Sequence, residues 1–137
     1  MAPPEPAANL LLITFDQWRG DWGDPHNPVV VLPALQQLAA EGWSAQRCIT
    51  ASPHCVPARM SWITGLQPSQ LGVTRNSDVS LPRDAPSVVR PLQELGWHTA
   101  LIGKTHWSSH HKTGDLREHR PRIGALGFDT GEECAGL

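Results

Sequence analysis

Asn9-Leu10-Leu11-Leu12-Ile13-Thr14-Phe15 runs directly into Asp16-Gln17-Trp18-Arg19-Gly20-Asp21. So short and so uniformly apolar a run predicts a strand buried on both faces, and such strands belong to parallel sheets. The polar groups that follow collect at its carboxyl end, which is where open α/β sheets bind their ligands. The first functional expectation therefore falls on Asp16 and its neighbours.

Downstream, the pattern alternates. Leu35, Leu38 and Ala39 recur at helical spacing between Pro33, suited to a first turn, and Gly42, suited to a stop, so a helix is predicted over 33–41. A strand is expected over 44–50. A short helix follows over 58–64, started by Pro57 and ended by Gly65. Another helix is expected over 88–95, made irregular by Pro91, and then a strand over 97–102. After Lys104 no further element is predicted. Residues 1–8, with three prolines and three alanines, read as a disordered lead-in. Alternating strands and helices make the chain α/β, with a mostly parallel sheet flanked by helices.

The bulk numbers narrow the function classes. At 137 residues there is room for one ordinary domain, and thirteen prolines with twelve glycines imply abundant irregular backbone. A formal net charge of −2 with no run of Lys or Arg gives no footprint for nucleic acid or an anionic membrane. The start of the chain has no basic residue and the run over 10–15 is too short for a signal segment or a membrane span, so a cytoplasmic location is expected. Cys48, Cys55 and Cys134 cannot all pair within one chain and lack the close pairs of a structural zinc site.

The sharpest chemical signal is Cys55-Val56-Pro57-Ala58-Arg59, continued by Ser61-Trp62-Ile63-Thr64-Gly65-Leu66-Gln67-Pro68. If a helix starts at Pro57, its first backbone donors face the side chain of residue 55 and favour an anion there. Arg59, four residues on, can reach back with a guanidinium able to make paired hydrogen bonds to a tetrahedral oxyanion. The bland alternative is a buried cysteine beside a proline turn. Two further groups lie in order along the chain: Asp16 with Gln17 at the tip of the first strand, and Gly103-Lys104-Thr105-His106 at the tip of a later one. A cation and an imidazole two residues apart can share a pocket if the chain turns after Gly103.

Together these stretches resemble the sulfatase family. Cys55 to Arg59 is similar to its C-x-P-x-R core, the stretch from Ser61 to its S-x-x-T-G-x-x-P continuation, and Lys104 with His106 to its G-K-x-H segment. The helix over 33–42 and the Leu126-Gly127-Phe128-Asp129 turn resemble later landmarks, so the likeness covers nearly all of 9–130. It implies a partial alkaline-phosphatase-like sandwich, incomplete on its C-terminal side. It also implies oxidation of Cys55 to formylglycine by a formylglycine-generating enzyme, and a divalent cation, calcium or else manganese or zinc, held by Asp16 with Gln17 and residue 55. The substrate would be a sulfate or phosphate-type ester, contacted by Arg59, Lys104 and His106. Gln17, where many members carry a second aspartate, leans toward the phosphonate-hydrolase branch, while Lys104 with His106 leans toward true sulfatases.

Asn76 falls where related enzymes place an active-site asparagine, so it is the substrate-binding candidate, although a turn role also suits it. His110, His111 and His119 read as a polar loop rather than a metal site. Trp18 and Trp107 flank the expected site. The family's remaining cation ligands lie far downstream of this segment, so a 137-residue chain is expected to be inactive alone or completed by another chain. Two readings from other classes stand beside this: a non-catalytic anion-binding remnant of the fold, and a protein that uses the Cys55 thiol directly.

Overall fold

The computed structural model describes residues 9–24, 30–45, 47–78, 81–82, 84–108 and 115–134. The chain separates into two units, Met1–Cys48 and Ile49–Leu137. The expected lead-in at 1–8 and His110 and His111 lie outside the described residues.

The first unit carries a 3-10 turn at Gly20–Gly23 and helix α1, Pro33–Glu41. Helix α1 has the boundaries its spacing predicts: Pro33 occupies the first turn, and the Gly42 amide closes the end on the Leu38 carbonyl at 2.9 Å. The predicted strand over 9–15 does not form. Leu10 to Ile13 are 64 to 81% exposed and belong to no ladder. The second predicted strand, over 44–50, is also absent among its described residues. A strand has no hydrogen-bonding partner of its own, so apolar sequence alone cannot make one without neighbours to pair with. Phe15, Trp18 and Trp22 instead cluster, with ring centroids 4.7 and 5.4 Å apart.

The second unit is built around helix α2, Cys55–Thr64, followed by α3, Pro68–Leu71, α4, Val89–Glu94, strand β1, Ala100–Gly103, a 3-10 turn at Leu116–His119, α5, Arg120–Ala125, and strand β2, Thr130–Glu133. Strands β1 and β2 pair in parallel, Ala100 opposite Thr130 and Gly103 opposite Glu133. Parallel pairing needs a crossover, and the 3-10 turn with α5 supplies it. This second half of the βαβ unit was not predicted. Its helix is a single short run with Pro121 in its first turn, and β2 reads Thr-Gly-Glu-Glu, which has none of the apolar character that marks a buried strand.

One core holds this unit. Val56, Met60 and Ile63 on α2 meet Val73, Leu81, Ala85, Val89, Trp107 and Leu126, with Leu71, Leu101 and Phe128 packed against them. Helix α2 begins at Cys55 rather than at Pro57, two residues earlier than expected. Proline is tolerated there because the third helical amide has no partner inside the helix anyway. Its end is as predicted, with Gly65 left-handed at φ 71° and its amide on the Ser61 carbonyl. The Leu126–Asp129 turn also forms. Gly127 stands at φ 101°, and a Cβ on it would lie 2.6 Å from the Arg90 Cα, so only glycine lets α4 approach.

Asp129 then ties the turn to the strand. Its carboxylate accepts from the Gln93 amide at 2.8 Å, the Thr99 backbone amide at 2.8 Å and the Thr99 hydroxyl at 2.9 Å. These donors, led by Gln93, hold the carboxyl down at about 2. Among the described residues no helix is long and apolar enough to cross a membrane.

Candidate active site

Helix α2 carries Cys55 in its first turn, half-buried, and Arg59 one turn later, buried at 7% exposure. The i to i+4 spacing places both on one face. The expectation that the first-turn backbone would face an anion needs correction. Because the helix starts at Cys55, the Val56 amide is already committed to the Asn76 side-chain oxygen at 3.0 Å. Pro57 has no amide hydrogen, and the Ala58 amide bonds back to the His54 carbonyl at 3.2 Å. These first-turn backbone groups are therefore bonded within the protein.

Asn76 reaches the helix from a turn closed by Asp78, a residue not singled out from sequence. The Asp78 carboxylate takes the Thr74 and Arg75 amides, each at 3.0 Å, and the Thr74 hydroxyl at 3.3 Å. Those bonds, the Thr74 amide foremost, hold its pKa below the ordinary aspartate value. His54 Nδ1 lies 3.4 Å from the Thr74 carbonyl, so the residue before Cys55 also meets this turn. Asn76 is thus both the turn asparagine that its sequence suggested and an immediate neighbour of the Cys55 helix end.

The second group arrives from the end of β1. Arg59 Nη1 donates to the Lys104 carbonyl at 2.5 Å, and the Trp107 indole nitrogen donates to the Arg59 carbonyl at 3.3 Å. Two bonds in opposite senses therefore dock the Lys104 to Trp107 segment on the face of α2 that carries Cys55 and Arg59. The Arg59 guanidinium also lies 5.5 Å from the Trp62 ring centroid, within cation–π range. Trp107 itself is buried in the core, stacked on Phe128 at 6.1 Å.

The chain does turn after Gly103, which stands at φ 116°, and His106 follows in the left-handed region at φ 57°. Among the described residues the only other non-glycine with positive φ is Gln17, at 55°. Both were singled out from sequence, and such strain is retained chiefly where a side chain must be aimed. The structure thus brings Arg59 to Lys104 and Asn76 to the start of α2. Asp16 and Gln17 belong to the first unit.

As donors to a hard divalent cation, Asp16 offers a carboxylate and Gln17 a carbonyl oxygen, the right types but too few for the six or so oxygens such ions take. Among the described residues there is no group of three or more His, Cys, Asp or Glu placed to hold a metal. Among the described residues, these donors do not by themselves make a metal site.

The second unit thus joins the helix that carries Cys55 and Arg59 to the Lys104–Trp107 segment through backbone and guanidinium bonds. The chain belongs to the sulfatase family, whose family model matches residues 8–131. It is 32% identical over 122 residues to an ulvan-active sulfatase of Formosa agariphila, covering 88% of this chain and 23% of that protein. It is 33% identical over 113 residues to the steryl-sulfatase of Mus musculus, covering 75% of this chain and 18% of the relative. It is also 32% identical over 125 residues to the multifunctional alkaline phosphatase superfamily protein PehA of Trinickia caryophylli, covering 87% and 24%. The chain spans about a quarter or less of the length of these relatives. The fold class, α/β of alkaline-phosphatase type, follows from the same membership.

Proposed function

We propose that this chain supplies the nucleophile-bearing part of a sulfuric ester hydrolase in which Cys55 is converted to formylglycine. The observation that supports it most is the docking of the Lys104 to Trp107 segment on α2 through the Arg59 side chain, which joins two separate family motifs at one helix end. When present, the hydrated aldehyde supplies a nucleophilic oxygen at position 55 and releases the transferred group by reverting to the aldehyde. The chain's own residues bind and orient. Arg59 is held with one guanidinium nitrogen on Lys104 and can address the ester's anionic oxygens with the remainder of its fork. Lys104 and His106 contribute charge and a proton to the non-bridging oxygens and the leaving alcohol. Asp16 and Gln17 are proposed as this chain's share of a divalent cation's shell. Residues outside this segment complete the shell, so the 137-residue chain alone hydrolyses aryl sulfates negligibly.

Phosphonate or phosphate esters form the second reading. It is favoured by Gln17, a neutral ligand in place of a carboxylate, and by the similarity to PehA. The test is co-expression with a formylglycine-generating enzyme, followed by peptide mass spectrometry. The Cys55 peptide is expected to have lost sulfur and gained a carbonyl, and the Cys55→Ala chain to show no such change. An unmodified Cys55 under those conditions would overturn the formylglycine reading in favour of a plain thiol. Rapid aryl sulfate turnover by the chain alone would overturn the view that residues elsewhere complete the site.

A further inference from the structure

Glu133 stands at the end of β2, in a stretch where the sequence predicts no element, yet its side chain is only 2% exposed. Both carboxylate oxygens are engaged. Oε1 accepts from the Thr105 hydroxyl, and Oε2 lies 2.8 Å from His119 Nδ1 on the 3-10 turn before α5. A carboxylate can only accept, so His119 carries its proton on Nδ1 in this pair. Thr105 is the residue between Lys104 and His106. The same segment is held at the two preceding positions as well: the Cys134 amide donates to the Gly103 carbonyl at 3.1 Å, and Arg59 to the Lys104 carbonyl.

Removing a carboxylate from water costs several kcal/mol unless hydrogen bonds replace the lost hydration. An apolar residue would fill the position without that cost. What Glu133 provides that an apolar side chain cannot is a fixed bond to the one loop residue flanked on both sides by proposed site groups. The bonded residue immediately precedes His106, which stands in the left-handed region. We propose that Glu133 is a positioning residue for the Lys104–His106 loop, with His119 fixing the orientation of its carboxylate. The proposal rests on the reading of Lys104 and His106 as anion-binding groups given above. It extends that reading by assigning a role to Thr105, Glu133 and His119.

The experiment is NMR of the isotope-labelled 137-residue chain, with inorganic sulfate as the probe. Thr105→Val deletes the hydroxyl at nearly constant volume, Thr105→Ser restores it, and Glu133→Gln keeps an acceptor for Thr105 while setting an amide against the His119 proton. In Thr105→Val the Lys104 amide and His106 imidazole signals should move, while the Met60 and Leu126 methyl signals of the core stay in place. In Thr105→Ser the loop signals should return toward wild type. In Glu133→Gln the His119 ring signals should report a change of tautomer. Sulfate should perturb Lys104 and His106 in wild type, with the midpoint raised about tenfold in Thr105→Val, as expected when a buried charged acceptor loses its donor.

Unmoved loop signals in Thr105→Val, or a sulfate midpoint equal to wild type, overturn the positioning role. If sulfate perturbs none of Lys104, His106 and Arg59 in wild type while the loop signals still respond to Thr105→Val, the positioning contact stands and the anion-binding reading fails. If Glu133→Gln does not fold, the Thr105 pair decides alone.

Discussion

Replacing Asn76 tests whether the start of α2 is organised as the geometry implies. The Val56 amide donates to the Asn76 oxygen at 3.0 Å, and Val56 has no solvent exposure. In Asn76→Ala that amide loses its acceptor. Cap removal costs about 0.5–2 kcal/mol, and an orphaned buried donor about 1–3 kcal/mol. Asn76 itself is exposed, so water entering behind it recovers part of the loss, which leaves about 1–1.5 kcal/mol. At an m-value of about 2 kcal/mol/M this lowers the urea midpoint by roughly 0.5–0.75 M. Asn76→Asp is the informative partner. Its carboxylate still accepts from Val56 and adds a negative charge at a helix start, which contributes about 0.3–1 kcal/mol, so the midpoint should match or exceed wild type. The same charge would repel an anion beside Cys55, so sulfate perturbation of Lys104 and His106 should weaken. Urea titration followed by far-ultraviolet circular dichroism reads the first effect and NMR titration the second. A midpoint in Asn76→Asp as low as in Asn76→Ala would refute the capping argument.

The Asp129 clamp sets an acid limit. Its carboxyl is held at about 2 against an ordinary 3.8, so its stabilising contribution is complete above 3.8 and is lost as pH falls toward 2. Thermal melts should show wild type losing stability across that window more steeply than Asp129→Asn, and parallel profiles would count against the clamp. Gly127→Ala should be severely destabilising, because a left-handed alanine costs about 1–2 kcal/mol and its Cβ would lie within 2.7 Å of the Arg90 backbone, which cannot move without shifting α4. A circular dichroism melt within two or three degrees of wild type would contradict the packing of the turn on α4.

How far the sequence foretold this depends on what kind of signal each element has. Helix α1 was legible to the residue, since proline and glycine act locally at its two ends. Gly65 was legible for the same reason, since a left-handed stop is a property of one residue, whereas the Gly127 turn was expected only from the family resemblance. Strand over 9–15 was overread. Periodicity and β-propensity describe how well a segment would fit a sheet, while the ladder depends on a neighbour far away in the chain. Strand β2 was missed for the converse reason, since Thr-Gly-Glu-Glu has a neighbour but no apolar signature. Cys55, Arg59, Lys104 and His106 were singled out through their resemblance to sulfatase motifs, and the structure brings Arg59 to the Lys104 backbone. Asp78 and Glu133 were not singled out, because each acts through a fold-dependent contact and has only an ordinary acidic residue's appearance in sequence. Thr74 with Asp78 four residues on is a detectable turn pairing. Nothing near Glu133 announces that it will meet Thr105.

The distribution of costly features carries its own argument. A guanidinium buried at 7%, a carboxylate at 2% and a histidine in left-handed backbone each lower stability relative to an apolar or glycine replacement. In the second unit these costs fall on one connected set: Arg59 bonds Lys104, Thr105 bonds Glu133, and His106 follows in the same turn. Core packing does not require them, since Val56, Met60, Ile63 and Leu126 already fill the space beneath α2 with apolar side chains. Charges arranged this way are oriented before a ligand arrives, so a bound anion would not have to order them, and that is the condition under which fixed dipoles and charges stabilise a transition state most strongly. This connected set is what the proposed function uses, and it is the feature that the Thr105→Val and Asn76→Asp titrations address.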